Sequence, residues 1–140
     1  MEPKLPIASI TDEFSPDPGV ALEAMAEIGM TGAELRVLWG RNIMDLTDEE
    51  LDRVLELVTS KGMKVISIAS PLLKCVLPGT PPVDERLQQD VFASKHTFED
   101  QPRLAERAFA IAKKMGCRII RVFSYWRSIE PDKCFDGVVK

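Results

Sequence analysis

Gly29-Met30-Thr31-Gly32-Ala33-Glu34-Leu35-Arg36-Val37 closes one helical pattern and opens one strand pattern. Gly62-Met63-Lys64-Val65-Ile66-Ser67-Ile68 does the same further along, and Gly116-Cys117-Arg118-Ile119-Ile120-Arg121-Val122-Phe123-Ser124 does it a third time. Each leading glycine suits the position just past a helix end, where a left-handed backbone is needed. The β-rich run behind it has the length of a strand. A repeated helix-glycine-strand unit of this kind is the first thing to look for in a chain, because it sets the architecture.

The helices that precede these glycines are signalled independently. Asp17-Pro18 supplies an N-cap followed by proline at the first helical position, and Ala21, Leu22, Met25 and Ile28 then share one face. Thr47-Asp48-Glu49-Glu50 is a capping box, with Leu51, Val54, Leu55 and Val58 following at helical spacing. A third helix is expected to start near Thr97 or Phe98, with Leu104, Ala108, Ile111, Ala112 and Met115 as its stripe. A first strand from about Leu5 to Thr11 precedes them all. The order β-α-β-α-β-α-β defines an α/β chain with a parallel sheet and right-handed crossovers. Pro131 to Lys140 reads as the start of a fourth helix without a C-cap, so residues 1–140 are expected to be a piece of a larger fold that breaks off within helix 4.

Composition narrows the class. The chain has 140 residues, 45% hydrophobic and 29% charged, as in a globular domain. Its apolar runs are too short to span a bilayer, and the start lacks the layout of a signal peptide. Cys75, Cys117 and Cys134 form no CxxC pair, which fits reduced, inert thiols and a cytoplasmic setting. Residues 1–70 carry 6 basic and 13 acidic groups, residues 71–140 carry 12 and 9, and the net charge is −4. Neither nucleic acid nor membrane is an expected partner.

The strand faces are unusual. Aligned on the glycines, Glu34, Ser67 and Arg121 share one level, and Arg36, Ala69 and Phe123 follow two residues later on the same face. The other face carries Leu35, Val37, Ile66, Ile68, Ile120 and Val122 and should lie under the helices. Charge on the first face needs partners, because both faces of a parallel sheet are normally covered. A closed barrel explains the pattern, with one face toward the helices and the other inside, beneath a C-terminal mouth. The competing explanation is an internal ion pair of Glu34 with Arg121 or Arg36.

More chemistry-bearing residues fall at the strand ends. Asp12 and Glu13 follow strand one, and Trp39 and Arg41 follow strand two. Residues 70–96 form a long connection with Lys74, Lys95 and His96, within which Val83 to Val91 suggests a short helix. Ser124, Tyr125, Trp126 and Arg127 follow strand four. Each has a plainer alternative. His96 can support the start of the next helix, the tryptophans can be packing residues, Asp12 and Glu13 can be turn residues, and Lys74 and Arg127 can be solvated rather than hold a phosphate or carboxylate. No GxGxxG, GxxxxGK[ST] or GxSxG motif is present, and a single histidine rules out a His-rich metal site made by this chain.

Asp12-Glu13-Phe14-Ser15, Glu34 through Gly40, Ile68-Ala69-Ser70-Pro71-Leu72-Leu73-Lys74-Cys75, Lys95-His96-Thr97-Phe98 and Arg121 through Arg127 together resemble a subgroup of the sugar phosphate isomerase/epimerase family, of the xylose-isomerase-like TIM-barrel superfamily. The resemblance implies a (β/α)8 barrel, of which this chain would supply about four βα units, the N-terminal half. It implies a metal-dependent enzyme that moves a proton on a ketose or polyol, with a sugar or sugar phosphate as substrate. It also implies a divalent metal (Mn, Mg, Co or Zn) whose ligands, like the acid–base carboxylates, come mainly from later strands, so that no metal ligand is expected in this chain. Glu34, Arg36, Trp39, Lys74, His96, Arg121, Ser124 and Arg127 are then the substrate-binding candidates.

Two other classes compete. A non-catalytic half-barrel would self-associate through its exposed edge strands as a structural or binding module. An apurinic-endonuclease type of the same superfamily would need a His-rich zinc site and a DNA groove, which one histidine and a pI near 5.1 oppose.

Overall fold

The computed structural model describes residues 5–87 and 95–139, which form two compact units, residues 5–70 with 106–121 and residues 71–87 and 95–105 with 122–139. The first unit holds the sheet. Strands β1 (Ala8–Ile10), β2 (Gly32–Leu35), β5 (Lys64–Ala69) and β6 (Ile119–Arg121) run parallel in the order β1-β2-β5-β6. Helices α1 (Pro18–Glu27), α2 (Asp48–Ser60) and α3 (Gln101–Lys114) connect them, so the chain is α/β, as the glycine-led repeat implies. A small antiparallel hairpin of β3 (Val37–Leu38) and β4 (Arg41–Asn42) follows β2, and neither strand is signalled in the sequence. A 3₁₀ turn at Pro131–Cys134 leads into the short helix α4 (Phe135–Val138). Among the described residues, no helix is long and apolar enough to cross a membrane.

Local signals act as expected at most helix ends. The Asp17 carboxylate accepts from Val20 N, with Pro18 opening α1. Thr47 and Glu50 complete a reciprocal capping box at α2, and Arg41 adds an ion pair to Glu50. Gly29, Gly62 and Gly116 all have positive φ, the left-handed turn that ends each helix. Ala21, Leu22, Met25, Leu51, Val54, Val58, Ala108, Ile111, Ala112 and Met115 are buried. Ile28 departs from its expected face: α1 ends at Glu27, and Ile28, the C-cap, is 65% exposed.

Helix α3 starts at Gln101 rather than near Thr97. Asp100 accepts from both the backbone N and the hydroxyl of Thr97, and Gln101 N donates to Phe98 O, so a turn comes first. Pro102, which lacks an N–H, then fits the first helical turn. In place of the helix expected over Val83 to Val91, a 3₁₀ turn spans Glu85–Leu87, and residues 88–94 lie outside the described residues.

Register departs from the glycine alignment twice. Glu34 pairs with Ser67 as expected, but Ser67 pairs with Ile119, and Arg121 lies beside Ala69. The slip is two residues, so it keeps every side chain on its face and leaves no trace in the apolar pattern. The second departure is a bulge. Ala33 pairs with Val65 and Glu34 with Ser67, so Ile66 is an extra residue in β5. Ile66 is thereby removed from the helix-covered face, where Ile68 is fully buried, and sits 37% exposed over Gly32. Val122 also leaves the expected covered face: it lies past the end of β6 and is 54% exposed.

The bulge explains Gly32. A Cβ there would sit 2.4 Å from Ile66 Cγ1 and 2.9 Å from Ala8 Cβ. Gly32→Ala should therefore cost about 1–3 kcal/mol in urea unfolding, as overpacking does, and Ile66→Ala in the same chain should restore part of that loss. An unchanged urea midpoint for Gly32→Ala would show that the contact yields freely.

Candidate functional sites at the strand ends

In the first unit, the polar groups gather where the parallel strands end. Asp12 sits one residue beyond the Thr11 position that follows β1, in a 3₁₀ turn at Thr11–Glu13. Its carboxylate, only 6% exposed, accepts from Arg36 Nε at 3.0 Å and Nη2 at 2.8 Å and from Val37 N at 3.2 Å. Glu13 adds a second, exposed contact to Arg36 Nη2 at 3.1 Å. The Asp12 fork raises the Arg36 pKa further above its already high value, against the opposing cost of burial. Arg36 thus ties the end of β2 to the end of β1 through ion pairs to Asp12 and Glu13.

Glu34 meets Ser67 instead: Ser67 Oγ donates to Glu34 Oε2 at 3.1 Å across paired strands. Arg121 Nη2 donates to the carbonyls of Ala69 at 3.1 Å and Ser70 at 3.2 Å, and Ser70 Oγ returns a bond to Arg121 O at 2.6 Å. Arg121 is therefore a cap on the end of β5. Trp39 occupies the tip of the β3–β4 hairpin at φ 52, a left-handed backbone that costs a bulky residue strain. Its N–H bonds to Pro16 O, and the Arg53 guanidinium lies 5.2 Å from its ring centroid.

The second unit carries the other candidates. The backbone of residues 72–75 is zipped to residues 123–126 by bonds from Phe123 N to Leu72 O, Tyr125 N to Leu73 O and Trp126 N to Cys75 O. Lys74 is 8% exposed, and its Nζ lies 5.0 Å from the Phe123 ring centroid and 5.7 Å from that of Trp126. Ser124 and Arg127 line one cavity of about 400 Å³ with Tyr125, Trp126, Leu77 and Phe135. His96 lines another, of about 380 Å³, with Cys75, Lys95, Glu99 and Trp126. His96 Nδ1 also lies 4.0 Å from Asp100, the residue that organises the turn before α3. Burial pushes the Cys75 and Cys117 thiols up, so neither has the lowered pKa of a reactive thiolate.

Several contributors escape sequence reading. Gln101 is buried and bonds both Leu73 N and Thr97 O through its amide. Phe123 forms one side of the Lys74 cage, although its place beside the lysine is set by the long-range pairing with Leu72. Asp84, also buried, is held by Arg86, while Asp84 N bonds Arg127 O and Ile129 N bonds Pro82 O. This antiparallel contact, with a bridge between Val83 and Ser128, positions Arg127.

The divalent metal implied by the resemblance is not matched by these donors. Asp12 and Glu13 are engaged by Arg36, Glu34 by Ser67, and among the described residues no three or more His, Cys, Asp or Glu side chains gather to hold an ion. The chain matches no model of a protein family, no curated protein and no solved structure.

Hydrogen bonds from the Arg86 side chain hold the Asp84 carboxyl below its ordinary value of 3.8, with smaller help from the Arg86 backbone and from the charges of Arg86 and Arg127. A lowered carboxylate stabilises the fold fully above its unfolded pKa, and that contribution is lost as pH falls through the folded value. Asp84→Asn should therefore flatten the acid limb of stability between about pH 5 and 2, measured by urea unfolding. An acid limb as steep as wild type would assign the effect to other carboxylates.

Proposed function

We propose that this chain is the substrate-holding portion of a sugar or sugar-phosphate isomerase or epimerase of the (β/α)8-barrel type. Its metal ligands and proton-transferring carboxylates would be supplied by residues other than those described. The observation that carries this reading is the placement of Asp12, Glu13, Arg36, Glu34, Ser67 and Arg121 at or near the C-terminal ends of four parallel strands. In barrels and open α/β sheets that end is where ligands bind.

Isomerisation and epimerisation remove a proton from the carbon beside a carbonyl and return it. The rate depends on a placed base and on groups that hold the hydroxyls and the developing oxyanion. The strand-end residues divide this labour. Asp12, Arg36 and Arg121 fix the strand ends. Glu34, with one carboxylate oxygen bonded by Ser67, is the group suited to accept a substrate hydroxyl. A polyhydroxylated substrate would offer such hydroxyls at close spacing.

A second reading, a self-associating half-barrel without catalysis, is favoured by the position of β1 and β6 as the outer strands of the sheet and by Ile119 at 55% exposure. Proton exchange decides between them. The full gene product, incubated in D₂O with a panel of ketoses and ketose phosphates and with Mn, Mg, Co or Zn, should lose the C–H signal beside the carbonyl of at least one sugar in proton NMR. Glu34→Gln should lower kcat/KM about 10-fold or more, mainly through KM. No exchange on any sugar with any metal, from a protein that dimerises in light scattering, would favour the half-barrel.

A further inference from the structure

An extended chain in regular alternation turns every second side chain away from a given space. Residues 124–128 depart from that rule, since all five border one cavity of about 400 Å³. The break falls at Tyr125, which has φ 68, a left-handed backbone in a residue that carries a ring. Such a residue persists only where its surroundings over-determine it, and residues of this kind cluster at ligand sites. Here the pins are backbone bonds on both sides. Tyr125 N and Trp126 N donate to Leu73 O and Cys75 O, Arg127 O accepts from Asp84 N, and Ile129 N donates to Pro82 O.

The two rings of this run are held before any ligand arrives. The Tyr125 ring lies 6.0 Å, centroid to centroid, from that of Phe98, and the Lys74 Nζ lies 5.7 Å from the Trp126 centroid. A ligand that meets rings already fixed loses little binding energy to ordering them. Another part of the wall is the turn Pro131–Cys134 and helix α4, seated closely on Leu77: a Cβ at Gly137 would meet Leu77 Cδ2 at 3.0 Å. Phe135 and Val138 of this wall border the cavity and yet are 67% and 39% exposed. A cavity with apolar and aromatic walls and a few polar groups is the usual form of a small-molecule site. The polar groups here include Arg127 and Asp132, which bring opposite charges to one space. Among the ion pairs of the described residues, none joins these two. Asp84 is taken by Arg86, and Glu130 by Lys133.

We propose that this cavity binds a free amino acid with a large apolar side chain. Arg127 takes its carboxylate, Asp132 takes its ammonium, and Tyr125, Trp126 and Phe135 receive its side chain. Arg is suited to the first task because its planar guanidinium matches a carboxylate. A ligand of both signs uses both charges of the wall, where a plain anion would meet Asp132 and a plain cation would meet Arg127. The site lies wholly in the second unit and stands whether or not the strand-end residues of the first unit hold a sugar.

Trp39→Phe leaves Trp126 as the one tryptophan of the chain. L-Phenylalanine should then shift Trp126 emission saturably. If Trp39→Phe fails to fold, saturation-transfer NMR of the ligand with the unsubstituted chain reads the same binding. Phenylpropanoate, which lacks the ammonium, and phenethylamine, which lacks the carboxylate, should each bind about tenfold more weakly than phenylalanine. Arg127→Met should weaken phenylalanine about tenfold and leave phenethylamine unchanged, while Asp132→Asn should weaken phenylalanine about tenfold and leave phenylpropanoate unchanged. Both side chains are exposed, so neither substitution should disturb the fold. A merely structural role for either residue would weaken all three ligands alike. No saturable response to phenylalanine, an analogue that binds as tightly as phenylalanine, or equal losses for all three ligands in either variant would overturn the proposal.

Discussion

The bond on which the first unit depends is the fork between Asp12 and Arg36. A nearly buried carboxylate takes two guanidinium hydrogen bonds and one backbone N–H, from Val37. Each group left alone there would be costly: a buried charge without its partner destabilises by several kcal/mol. Together they lock the exit of β1 to the exit of β2 and set where the β3–β4 hairpin leaves. Trp39 then takes its strained place at the hairpin tip, with its N–H on Pro16 O. Glu34, bonded by Ser67, is a further acidic group at the paired strand ends.

The second unit is organised by a different device. Its backbone continues the strand-like pairing past the regular strands, through Leu72, Leu73 and Cys75 against Phe123, Tyr125 and Trp126. Two left-handed residues and one buried amide, Gln101, shape that pairing. Beside that pairing lies Lys74, 8% exposed, with its Nζ near the Phe123 and Trp126 rings.

The α/β alternation was legible because its signals are local. Glycines with positive φ, an Asp-Pro start and a capping box act within a few residues, and the apolar stripes behind them give the buried helix faces. Pro102, which lacks an N–H, marks the first turn of α3 in the same local way. What the sequence hid is non-local. The bulge at Ile66 changes that residue's face without changing composition, and the two-residue stagger of β6 preserves every face. Glu34, Arg36 and Arg121 lie at or beside strand ends, and their partners follow from register. Arg36 meets Asp12, which reads equally well as a solvated turn residue, and Arg121 caps carbonyls beside it. The reaction class proposed above is contained in neither strand geometry nor helix patterning.

The most direct test of this account is a double-mutant cycle on the fork, read by urea unfolding of the chain. Asp12→Ala and Arg36→Met should each cost about 2–4 kcal/mol, and the double variant should fall short of their sum by about 1–3 kcal/mol. Small, additive costs would contradict it: the fork would then not hold the strand ends together, and Arg36 would return to the list of groups available to a ligand.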